Sequence, residues 1–102
     1  VLRPKVQRDP EYLAWIRRHM CVACWPGIEG SALSAIPMEA AHTGPHGISQ
    51  KASDHTCIPL CRRHHLELDH QLGRAFWKKY GLNRLKIIAA LRKQYAAERT
   101  TK

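Results

Sequence analysis

Apolar residues recur at helical spacing near both ends of this chain and gather into short, strand-length runs in its middle. In "PEYLAWIRRHM", Leu13, Ile16 and Met20 share one helical face, with Asp9 suited to the N-cap and Pro10 to the first helical position. A helix is therefore expected to deliver the chain to Cys21. The Gly-, Pro- and Ser-rich "WPGIEGSALSAIP" predicts an irregular connection. Two strand-like runs follow, "MEAAHT" and "HTCIPLC", separated by the glycine-containing "GPHGISQKASD". A helix starting near Arg62 would complete a strand–strand–helix unit.

Gly73 follows that helix, and "RAFWKKYG" predicts a further helical turn closed by Gly81, with Phe76, Trp77 and Tyr80 covering a small core. Asn83 can cap the last helix, whose apolar face is read as Leu85, Ile88, Leu91 and Tyr95. The expected class is α+β: a small, mainly helical domain around one hairpin. Residues 1–8, "VLRPKVQR", have no periodicity and read as a basic arm. Residues 9–102 form the single domain, with helices over 74–98 packed on a central unit at 21–73.

Charge adds a partner to this picture. Seventeen Lys and Arg against eight Asp and Glu give a formal charge of +9 over 102 residues. That excess favours a polyanion, with nucleic acid ahead of other partners. No apolar run approaches the ~18 residues of a membrane span and no leader pattern opens the sequence, so a soluble, cytoplasmic protein is expected.

The four cysteines change the picture more. Cys21 and Cys24 make a CxxC knuckle, whose spacing lets two thiolates take adjacent corners of a zinc tetrahedron. Cys61 and His64 repeat the two-residue gap at a strand-to-helix junction and would complete a structural zinc site, closing a loop of roughly forty residues. Cys57, four residues before Cys61, is the rival ligand. Beyond His64, the residues His65 and Asp69 are one helical turn apart and could share a divalent cation. His70 is the alternative, rotated from His65 by about 140° more than full turns on a regular helix. On spacing alone this group reads equally well as a solvated helix face. His42, alone in "MEAAHTG", is the candidate general base if the hairpin folds back to set it opposite His65.

"CVAC", "AAHTG" and "KASDHTCIPLCRRHHLELDH" together resemble the HNH endonucleases of the ββα-metal superfamily, and in particular small phage and prophage proteins associated with recombination. "PLCRRHH" is the most specific piece, and the resemblance spans about residues 21–73. It implies a ββα-metal core and a metal-dependent endonuclease acting on DNA. His42 corresponds to the base that activates water, and His65 to the metal-binding histidine of the helix. Asp54, His55 or Thr56 would orient His42. The resemblance makes Mg2+ or Mn2+ the expected cation, with Zn2+ or Ni2+ also suited to histidine ligation. The chain departs from the pattern at Ala41, where an acidic ligand usually precedes the base. Glu39, on the same strand face, could compensate by reaching farther.

Lys51, Arg62 and Arg63 are the candidate phosphate contacts, while Trp25, Trp77 and Tyr80 read as core. Partners implied are DNA and either a second copy or a recombination protein. Two rival classes stand beside the nuclease. One is a non-catalytic zinc module that binds DNA, favoured by Ala41; the other is a zinc-stapled protein-interaction domain, which predicts no salt-dependent nucleic-acid affinity.

Overall fold

A computed structural model describes residues 8–25, 33–44 and 53–100 of the chain. Residues 1–7 of the basic arm and the predicted phosphate contact Lys51 lie outside the described residues. The elements are α1 (Pro10–Arg17), β1 (Glu39–His42), a 3-10 turn (Asp54–Thr56), β2 (Cys57–Leu60), α2 (Arg62–Glu67), a π-helical turn (Leu68–Leu72), α3 (Ala75–Lys79) and α4 (Arg84–Thr100). This is a small mixed α/β domain, dominated by helix around a two-stranded sheet. No helix among the described residues is long and apolar enough to cross a membrane.

Helix α1 starts as its sequence predicts. The Asp9 side chain accepts from the Tyr12 N–H at 3.1 Å, and Pro10 occupies the first turn, where its missing N–H costs nothing. The buried stripe is not the expected Leu13, Ile16 and Met20 but Tyr12, Trp15 and Ile16, continued by His19 past the helix end. Two aromatic rings remove more apolar surface than Leu13 and Met20 would, so the helix turns them inward. Tyr12 and Trp15 both meet the Tyr95 ring edge-on, at centroid distances of 4.9 and 5.2 Å, which locks α4 onto α1.

Strands β1 and β2 pair antiparallel, with Glu39 opposite Leu60 and His42 opposite Cys57. Every residue of β2 is buried. Its outer edge is covered by the CxxC turn, where the Val22 N–H donates to the Pro59 carbonyl at 3.1 Å. Helix α2 leaves β2 at Cys61 and widens into the π-helical turn, closed by an N–H of Gly73 onto the Leu68 carbonyl at 3.1 Å. Gly73 has a φ of 52°, a conformation that favours glycine.

The core joins Tyr12, Trp15 and Ile16 to Ala41, Ile58, Leu60, Leu68, Phe76 and Leu91, with Trp77 and Tyr80 partly buried against it. Asn83 caps α4 by accepting from the Lys86 N–H at 3.0 Å, as predicted. Leu85, however, is 67 % exposed, and Ile87 takes its place beside Ile88, because α4 presents a face rotated toward the α1 rings. Trp25 also departs from expectation, being 54 % exposed beside the knuckle.

Candidate functional site

The first centre grows from two turns. Cys21 and Cys24 sit in the tight turn after α1, while Cys61 is the N-cap of α2 and His64 lies in its first turn. Their ligand atoms all fall within 4.8 Å of one another, and among the described residues this is the one group of three or more such donors. His64 Nδ1 is 3.4 Å from the sulfurs of Cys21 and Cys24 and 3.2 Å from that of Cys61, and the Cys24 and Cys61 sulfurs are 3.8 Å apart. Zinc–sulfur bonds of about 2.3 Å and zinc–nitrogen bonds of about 2.05 Å give tetrahedral edges of about 3.8 and 3.6 Å, so the cluster fits that ion. Cys57 is fully buried in β2 and outside the group, in which His64 stands as the fourth candidate donor.

In the metal-free protein the electrostatics of the four groups are divided. Burial, then the neighbouring thiols Cys21 and Cys61, push Cys24 up to about 12. Burial also opposes ionisation of Cys61, but backbone donation from His64 and the thiols of Cys24 and Cys21 outweigh it and lower its pKa. Burial and then the Arg63 charge lower that of His64, favouring the neutral ring that a metal requires. Arg63 Nη2 lies 3.3 Å from His64 Nε2. Coordination through Nδ1 leaves the ring proton on Nε2, so the guanidinium must then turn away.

The second centre is built around a buried carboxylate. His42 Nε2 is 2.8 Å from Asp54 Oδ1. Asp54 is 3 % exposed, and its other oxygen accepts the Asp9 N–H at 2.7 Å, with Arg8 Nη1 at 3.4 Å from Oδ1. Burial alone would raise its pKa, yet the His42 hydrogen bond, the Asp9 N–H and the nearby charges hold it below the usual carboxylate value. Of the three expected partners for His42, Asp54 takes the position. His55 instead turns to Asp9, with Nε2 3.1 Å from its carboxylate, and meets the Tyr12 ring edge-on. Thr56 closes the end of the hairpin, its carbonyl accepting from both the N–H and the hydroxyl of Thr43.

The third group lies at the other end of β1. His65 Nδ1 is 2.7 Å from Glu39 Oε1, and its Nε2 is 3.2 Å from Asp69 Oδ2. Arg62 reaches Glu39 at 3.7 Å from an 80 % exposed position, and His70 is exposed. Glu39 and His42 are three residues apart on a strand, so they face opposite sides and are separated by about 10 Å of backbone. Each of the two imidazoles therefore has its own carboxylate partnership, His42 with Asp54 and His65 with Glu39 and Asp69.

A family model matches residues 1–97. The chain belongs to DUF968, a family described as of unknown function. Comparison with curated proteins and with solved structures gives no match. The stretch matched to DUF968 contains all three groups.

Chemically, this DUF968 protein has a three-cysteine, one-histidine clasp that could hold a structural metal such as zinc, an imidazole with a buried carboxylate behind it, and a second imidazole between two carboxylates. The roles of Asp9 and Glu39 were not evident from spacing. Asp9 reads as an N-cap, and nothing in the sequence connects its N–H to a carboxylate 45 residues away. Glu39 was visible as a reaching acid, but its partner was not.

Proposed function

We propose that this DUF968 protein is a metal-dependent HNH-type endonuclease that hydrolyses phosphodiester bonds in DNA, with the recombination-associated proteins of phages and prophages as its functional kin. The observation that carries this reading is the pairing of His42 with buried Asp54 on a hairpin that leads directly into a helix bearing His65. Zinc on Cys21, Cys24, Cys61 and His64 would staple that unit to α1.

In this reading His42 is the general base. Asp54, held ionised, accepts the Nε2 proton, which leaves the Nδ1 lone pair to take a proton from the attacking water. Glu39 accepts the Nδ1 proton of His65 and thereby turns Nε2 outward as a ligand. His65 Nε2 and Asp69 Oδ2 lie 3.2 Å apart, close enough that both could serve one divalent cation. These two residues would hold Mg2+ or Mn2+, and the chemistry supplied by that ion is stabilisation of charge on the phosphate and the leaving 3′ oxygen. His70, on the same widened turn, is the alternative ligand. Arg62 and Arg63, at the start of α2, would contact phosphates.

One observation favours a second reading, a zinc-stapled DNA-binding module without catalysis. Ala41 is fully buried and offers no ligand, and among the described residues His65 and Asp69 gain no third donor on the Nε2 side. Plasmid nicking separates the two. Zinc-loaded wild type should nick circular DNA with Mg2+ or Mn2+ and not with EDTA, and His42→Ala should lose ~10²- to 10⁴-fold in rate at unchanged circular dichroism. A folded wild type that binds DNA and never nicks it would establish the second reading.

A further inference from the structure

A cleft of about 350 Å3 opens between α1, the 3-10 turn and α4. Its carboxylates are already engaged. Asp9 is met by His55 at 3.1 Å and Glu11 by Arg99 at 2.8 Å, while Arg99 also reaches the Tyr95 hydroxyl at 2.6 Å. Arg92 lines the same cleft and has no acidic partner among the described residues. Arg92 is thus a guanidinium without an ion pair among the described residues, set in a concave site beside the His55–Asp9 contact and the Glu11–Arg99 ion pair.

Tyr12 provides an independent observation. It lines the cleft, is 1 % exposed, and its hydroxyl is buried without a hydrogen-bond partner among the described residues. Such groups are rare in folded proteins and cost stability. Burial pushes Tyr12 up to about 12, against the pull of the Arg92 charge, so the phenol keeps its proton and offers a donor. A guanidinium fork with no acidic partner among the described residues, beside a protonated phenol, suits an anion with several acceptor oxygens.

Position selects the anion. Asp9, in the cleft wall, donates its N–H to the carboxylate that holds His42, and His55 is the residue next to Asp54. We propose that this cleft is a phosphate subsite for nucleic acid, in which Arg92 holds a phosphodiester flanking the one presented to His42. The choice of phosphodiester rests on the nuclease reading; the cleft and its unpaired groups do not.

The test uses zinc-loaded protein, wild type and two α4 variants, Arg92→Gln and Lys93→Gln, the latter an exposed cation that does not line the cleft. Titration with inorganic phosphate, followed by amide NMR, should give saturable shifts at Tyr12, His55 and Tyr95 in wild type and Lys93→Gln, and none in Arg92→Gln. Affinity for a short DNA duplex should fall roughly tenfold in Arg92→Gln, with the slope of log K against log salt reduced by about one. Phosphate shifts at the cleft with unaltered DNA affinity mean a free-phosphate site and overturn the nucleic-acid subsite. Equal losses in both variants without cleft shifts mean diffuse charge and also overturn it. Wild type that nicks DNA, with Arg92→Gln binding and nicking equally well, removes the subsite and leaves the nuclease. Wild type that binds DNA through Arg92 and never nicks removes the nuclease and keeps the phosphate contact.

Discussion

The Asp9 N–H and the Asp54 carboxylate meet at 2.7 Å across 45 residues, so the first turn of α1 fixes the group that holds His42. Asp54 accepts hydrogen bonds on both oxygens, from Asp9 on Oδ2 and from His42 and the more distant Arg8 on Oδ1. This arrangement makes an isosteric change costly.

Asp54→Asn retains one acceptor oxygen and turns an NH2 group toward one of those donors. The unmatched donor should cost about 1–3 kcal/mol, read as a lower denaturation midpoint at constant m. Nicking should fall by roughly tenfold or more, and 15N shifts of His42 should lose the single Nε2-protonated tautomer. Unaltered stability together with an unaltered tautomer would remove Asp54 from the positioning role.

Glu39 should matter for metal binding more than for folding, since it is partly exposed while its oxygen lies 2.7 Å from His65 Nδ1. Glu39→Gln can rotate its amide oxygen to accept the same proton, whereas Glu39→Ala cannot. Loss of a ligand-orienting carboxylate costs about 10- to 100-fold in metal affinity, so Mn2+ binding followed by electron paramagnetic resonance should weaken by that factor in Glu39→Ala and less in Glu39→Gln. Equal Mn2+ binding by all three proteins would mean that Glu39 does not prepare His65.

Much of this was legible in the chain. Asp9 and Pro10 start a helix, the two runs around His42 and Cys57 pair as strands, and the CxxC and CxxH spacings converge, because each of these is decided by local geometry. What escaped was decided at a distance. Tyr12 and Trp15 won the buried face of α1 only because Tyr95 of α4 packs on their rings, and Leu85 lost its place for the same reason. The π-helical turn after Glu67 is not written in any residue type, and it forms where Gly73 can accept a positive φ and close on Leu68. The partition of Asp54 to His42 and of His55 to Asp9 depends on contacts 12 and 46 residues apart, which periodicity does not encode.

Metal removal should unfold the link between α1 and the hairpin. Cys21 and Cys24 meet Cys61 and His64 through the proposed zinc, so chelation or Cys61→Ala should abolish zinc content and lower the thermal midpoint, while Cys57→Ala, which leaves the clasp intact, should keep its zinc. Zinc affinity should rise with pH, because bound thiolates must release protons and Cys24 holds its proton tightly in the metal-free protein. Calorimetry in buffers of different ionisation enthalpy reads that release directly. Zinc retained by Cys61→Ala and lost by Cys57→Ala would replace Cys61 with Cys57 in the ligand set.

Gly44 supplies the most local test of how the His42 end of the hairpin is built. A Cβ there would lie 2.6 Å from the Thr56 methyl and 2.9 Å from its hydroxyl, so Gly44→Ala must displace Thr56. That side chain is not free to move, since its hydroxyl accepts the Gly44 N–H at 3.1 Å and donates to the Ser53 carbonyl at 2.7 Å. Overpacking of this kind costs about 1–3 kcal/mol, and the shift would carry His42, two residues earlier, away from Asp54. Thr56→Ser removes the methyl that makes the closest contact and keeps the hydroxyl. In the Gly44→Ala background it should therefore recover part of both stability and nicking, with a coupling of about 0.5–3 kcal/mol in a double-mutant cycle. Additive losses would place the strain of Gly44→Ala elsewhere than on Thr56. A recovery of stability without nicking would separate the packing of this turn from the positioning of His42.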